Sequence, residues 1–108
     1  MAKAQDISDQ AAAQTFWRLI EHLQHRTDVQ NVDLMGLAGF CRNCLADWLT
    51  EAAANVSDTP IDKEAAREVV YGMPYGEWKD MFQGEATPAQ LDRMRQSVAL
   101  NKPGSPQS

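Results

Sequence analysis

Apolar residues recur at helical spacing from near the start of the chain. Phe16, Leu19, Ile20 and Leu23 follow the i, i+3, i+4, i+7 pattern of one buried helical face, which predicts a first helix from about Ser8 to Arg26. The next stretch, Arg26-Thr27-Asp28-Val29-Gln30-Asn31, is polar and rich in side chains that cap a helix start by accepting backbone N–H bonds, so it reads as a tight connection. From about Val32 to Val56, Leu34, Leu37, Ala38, Cys41, Leu45, Trp48, Leu49, Ala52 and Val56 step around a single face. That spacing predicts one long second helix, the spine of the fold. Gly36 and Gly39 inside it fit the close approach of another helix, since Gly otherwise costs about 1 kcal/mol there relative to Ala. They also offer a place to break the helix so that Cys41 begins a fresh one.

Two later helix starts share a signature. Thr59-Pro60-Ile61-Asp62 and Thr87-Pro88-Ala89-Gln90 each place Thr at the N-cap and Pro at the first helical position, where no N–H is needed. An acceptor three residues after each Thr suits a capping box, more clearly for Gln90 than for Asp62. A third helix is therefore expected from about Pro60 to Tyr71, stopped by Gly72, and a last one from about Pro88 to Leu100. Met73-Pro74 breaks the chain between them, and Tyr75 to Phe82 can make two turns with Tyr75, Trp78 and Phe82 on one side. Residues 101–108 contain two prolines, a glycine and no large apolar group, and read as a flexible tail.

The 108 residues suit one domain over 1–100, and an apolar fraction of 44% is enough for one modest core. The expected architecture is all-α: a small compact domain in which the first two helices form an antiparallel hairpin and the shorter C-terminal helices pack over it. Fifteen acidic against ten basic residues give a net charge of −5, and the basic ones are dispersed. Nucleic acid is thus excluded as a partner, because its footprint is clustered Lys and Arg. No apolar run approaches the roughly 18 residues of a membrane span, and the N-terminus leads into polar sequence rather than a signal-peptide core, so a cytoplasmic location is expected.

Candidate chemistry centres on Cys41-Arg42-Asn43-Cys44 and on His22-Leu23-Gln24-His25 of the first helix. Two thiols and two imidazoles are the donor set of a tetrahedral zinc site. At about 100° per residue, however, His22 lies about 120° from the Phe16 direction and His25 about 180°, so His25 should face solvent. Packing as small hydrophobes accounts for both cysteines, with Cys41 at the centre of the apolar stripe. The metal alternative uses Cys41 and Cys44 with His22 and an acid such as Asp28, holding zinc or iron; otherwise no cofactor is expected. Thiol-disulfide chemistry would need a low-pKa thiolate at a helix N-terminus or near a cation, and the βαβ context of such motifs is absent. Asp28 and Asp33 flank the connection and read as capping residues.

Tyr71, Met73, Tyr75, Trp78, Met81 and Phe82 form a dense aromatic and methionine segment. It is either an interaction platform or, the preferred reading, a cover folded back over the helices, since a small domain needs these groups in its core. No Gly-rich phosphate loop, nucleophile elbow or paired-carboxylate signature stands out.

The runs Glu21-His22-Leu23-Gln24, Arg26 to Met35, Leu37 to Leu45 and Val70 to Tyr75, with Glu77-Trp78-Lys79, resemble a short bacterial family catalogued as domain of unknown function 1244. The resemblance covers most of residues 16–88 and implies a helical fold of about this length, but no activity. The family pattern carries a histidine at the position of His22 and does not require one at that of His25. Composition and motifs together favour a non-catalytic cytoplasmic interaction protein, with a protein partner or a second copy of itself meeting a helical face; metal binding is the alternative.

Overall fold

The computed structural model describes residues 6–56 and 60–102, which form six helices and no strand. The first, α1 (Asp9–His25), starts where Ser8 accepts a hydrogen bond from Ala11 N at 3.1 Å, an ordinary N-cap. It ends as Arg26 N–H donates to His22 O. Then come α2 (Asn31–Ala38), α3 (Arg42–Val56), α4 (Lys63–Tyr71), α5 (Tyr75–Phe82) and α6 (Pro88–Ala99). Thr87 and Gln90 make the full capping box at the start of α6, with Pro88 at its first position. No described helix is long and apolar enough to cross a membrane.

The expected spine is two helices. Gly39 adopts a left-handed conformation, φ 74°, and its N–H closes on Met35 O, ending α2 before α3 begins. The apolar positions keep their helical spacing across this break, but the chain turns, so they no longer share one face. Cys41 and Leu45 are buried, whereas Leu37, Trp48 and Val56 point out. A second difference is the start of α4. Pro60 and Ile61 precede it, and Asp62 is the N-cap, accepting from Ala65 N at 2.7 Å. Asp is preferred over Thr at an N-cap, which favours this later start; Thr59 itself lies outside the described residues.

The most extensive helix pairings are α2 with α6 and α3 with α4, while α1 and α5 also touch α4. The expected hairpin of the first two helices is not among these pairs. Its apolar face is used all the same: Ile20 and Leu23 meet Leu45 and Ala46 of α3, Ala66, Val70 and Tyr71 of α4, and Trp78 of α5 in the core. Gly36 does serve a close approach, for a Cβ there would come within 3.2 Å of the Arg93 side chain of α6. Asn101, read as the first tail residue, donates to Gly39 O at 2.8 Å. Residues 103–108 lie outside the described residues.

Candidate functional site

The Gly39 break fixes the environment of the cysteines. Cys41 sits immediately before α3, and its carbonyl accepts from Cys44 N and Leu45 N at 3.0 and 3.2 Å. Cys44 follows one turn later on the same side. The two sulfurs are 4.0 Å apart and both thiols are free. Cys41 is buried and Cys44 half-buried. Burial pushes the Cys41 thiol above its ordinary value, outweighing the backbone N–H groups of Cys44 and Asn43, which pull it down. A thiol held in its neutral form near pH 7 is a poor nucleophile.

Arg42, between the cysteines, is 1% exposed. Its NH1 donates to Val29 O and Asn31 Oδ1 at 2.8 and 3.0 Å, and its NH2 to Arg26 O at 2.9 Å. The guanidinium lies over the Trp78 ring, 4.9 Å from its centroid. Its Nε has no partner among the described residues. Burial lowers its pKa, yet a guanidinium remains a cation. From Asn31 the network continues outward. Asn31 Nδ2 donates to Tyr71 OH at 3.0 Å, Tyr71 OH donates to Asn43 Oδ1 at 2.8 Å, and Asn43 Nδ2 donates to Tyr75 OH at 3.2 Å. Burial, the largest influence on it, raises the Tyr71 pKa, so this hydroxyl stays a donor. The α1–α2 connection, α2, α3, α4 and α5 are thereby tied through polar groups inside the protein, where each such bond is strengthened by exclusion of water.

Beside this network opens a groove of about 410 Å³, lined by Asn31 and Met35 of α2, Cys41 and Asn43, Tyr75 of α5 and Met94 of α6. Gln30 closes one end: its Nε2 donates to Phe82 O at 2.8 Å and its Oε1 accepts from Gly84 N at 2.9 Å.

Of the residues that the sequence marks as candidates, Cys41 and Cys44 are brought together. His22 and His25 are exposed on α1. Asp28 is exposed and bound bidentately by Arg26, with contacts of 2.8 and 2.9 Å. Among the described residues, no group of three or more His, Cys, Asp or Glu side chains is gathered so that it could hold a metal ion. Asp33 accepts from Gln90 Nε2 at 3.0 Å, linking α2 to α6. Tyr71 and Trp78 belong to the core, Met73, Tyr75 and Phe82 are half-buried against it, and Met81 is exposed. The segment thus covers the helices, and the larger exposed rings lie elsewhere: Trp48, 53% exposed and stacked on Phe40 at 5.9 Å, and Trp17 against Phe16 at 5.1 Å. Sequence reasoning passed over Arg42, Asn31 and Asn43, whose polar character gives no sign of burial. The one available signal was an arginine adjacent to a buried cysteine.

A family model described as "Protein of unknown function (DUF1244)" matches residues 29–96. The match spans α2 to most of α6, and so contains the cysteine pair, the groove and all of the polar network except Arg26. No curated protein matches the sequence.

Proposed function

The chain belongs to the DUF1244 family, and we propose that it is a non-catalytic interaction protein of the bacterial cytoplasm that associates with a second copy of itself. The observation that carries this reading is the Trp48 ring, 53% exposed and stacked on the half-buried Phe40, with Leu37 nearby in sequence 69% exposed. Aromatic rings presented to water in this way are what protein interfaces preferentially bury. Burial, which raises the Cys41 pKa, argues against that thiol as a nucleophile near neutral pH. Two cysteines do not make a disulfide framework, which suits a reducing compartment. With a net charge of −5, nucleic acid is not the partner proposed.

Sedimentation equilibrium over micromolar to millimolar concentrations tests the reading. The expected result is a reversible oligomer that Trp48→Glu converts to monomer while the far-UV circular dichroism stays helical. A wild-type protein that is monomeric throughout that range overturns it.

A further inference from the structure

We propose that Cys41 and Cys44 form a two-thiolate site for one monovalent thiophilic ion, Cu(I) or its redox-inert analogue Ag(I), with a methionine thioether of the adjoining groove as a further donor. Three independent features of the structure point there.

The first is geometric. Metal–sulfur bonds of about 2.3 Å put two sulfurs on one ion roughly 3.8 Å apart at a tetrahedral angle and 4.6 Å apart when opposite. The sulfurs of Cys41 and Cys44 are 4.0 Å apart, so an ion fits between them without backbone movement.

The second is the donor set. Zinc in structural sites takes four ligands from Cys, His and carboxylates. Around these thiols no such group is gathered among the described residues. The groove that Cys41 lines also carries Met35 of α2, Met94 of α6 and, not gathered with the thiols, Glu85. Thiolate with thioether is a soft set, which selects Cu(I) over harder ions.

The third is charge. Arg42 is a buried cation whose guanidinium bonds, among the described residues, go to carbonyl and amide oxygens and not to a carboxylate. A buried charge with no carboxylate bonded to it is costly. Binding converts two thiols and one M⁺ into a bis-thiolate complex of net charge −1 and releases two protons to solvent. That complex adds negative charge near Arg42, which otherwise feels only the exposed Asp28 carboxylate across the connection, and it does so at the N-terminal end of α3, where the helix dipole also favours it. Cys44 is only half-buried, which leaves the ion a route in.

The test uses the full chain, reduced and under anaerobic conditions, competing for Cu(I) with a chromophoric chelator of known affinity. The expected result is one Cu(I) per chain, with about two protons released in weak buffer, as binding to neutral thiols requires. Cys44→Ser, at a half-buried position where the fold should survive, is checked by circular dichroism. It should weaken binding by more than the roughly 100-fold that even outer-layer partners of a metal cost. Met35→Leu or Met94→Leu should weaken it by about tenfold. The proposal is overturned if the chain removes no Cu(I) from the chelator, if folded Cys44→Ser binds as wild type does, or if Zn(II) displaces Cu(I) at equal concentration. These outcomes are separate from the oligomer measurement, since the site needs one chain only.

Discussion

The pair α2 and α6 and the trio α3, α4 and α5 are held by different physics. Every fully buried residue of the core cluster lies on α1, α3, α4 or α5; α2 sends the half-buried Leu34 against it, and α6 contributes none among the described residues. Yet α2 and α6 approach each other closely, because Gly36 lets the Arg93 stem lie against its backbone. Their other bonds are polar: Gln90 to Asp33, and Asn101 to Gly39 O just beyond the two helices. Apolar area removed from water stabilises by about 25 cal/mol per Å², whereas these polar links, one part-buried and one exposed, replace bonds to water at a smaller net gain. The trio is therefore the stable unit, and α6 is a wall that opens at lower cost. That wall carries Met94 and faces Met35, so the groove is bounded on one side by rigid structure and on the other by the part of the fold most easily moved.

The largest effect should come from the centre of the trio. Trp78 is 1% exposed and touches Arg42, Tyr71 and Phe82 through its ring, so Trp78→Ala should cost about 3–5 kcal/mol in urea unfolding. A loss below about 1 kcal/mol, the level of an ordinary surface change, would remove the distinction between the two regions. Arg42→Ala should come next, at about 3 kcal/mol, because Arg26 O, Val29 O and Asn31 Oδ1 lose their buried donor together. Amide hydrogen exchange on that variant should rise first in the α1–α2 connection. If exchange rises uniformly instead, the arginine is holding the core as a whole and not the loop. Gln90→Ala removes half of the capping box and the link to Asp33, and should cost about 1 kcal/mol. Its effect on exchange should stay within α6; spread into α3 or α4 would show that the wall and the trio unfold as one.

The same contrast explains what was legible in the sequence. α1, α5 and α6 are marked by local chemistry: Ser8 and Thr87 as caps, Pro74 and Pro88 as entries, apolar positions at 16, 20 and 23. Gly72 ends α4 in the left-handed conformation expected of a C-terminal glycine. The end of α2 was hidden because Leu37, Cys41 and Leu45 keep an i, i+4 spacing through a break that only Gly39 reveals, and glycine has two uses there. For the site, proximity of Cys41 and Cys44 follows from their spacing, whereas the burial of Arg42 does not. A charged side chain is buried only when distant carbonyls are positioned to receive it, here those of Arg26 and Val29, and that is a property of tertiary structure. His22 shows the converse: a residue with suggestive chemistry that the first helix leaves in water.

The smallest effect is expected at the connection between the two regions, where Arg26 grips Asp28 from outside while Arg42 holds the Arg26 and Val29 carbonyls from inside. The hydrogen bond from Arg26 lowers the Asp28 pKa to about 2, below the ordinary carboxylate value of about 3.9. A lowered folded-state value means that the pair contributes above pH about 4, and that the contribution fades as pH falls toward about 2, when the carboxyl takes up its proton. Both side chains are well exposed, 47% and 66%, so water and salt screen the pair. Asp28→Asn should therefore leave the melting temperature at pH 7 nearly unchanged and only flatten its dependence on pH between about 4 and 2. Carboxyl NMR should show Asp28 titrating near 2, moving toward its ordinary value in high salt or in Arg26→Ala. If Asp28→Asn instead destabilises the protein as much as Gln90→Ala, the loop is fastened from the surface, and the buried Arg42 is not what joins α2 to the core.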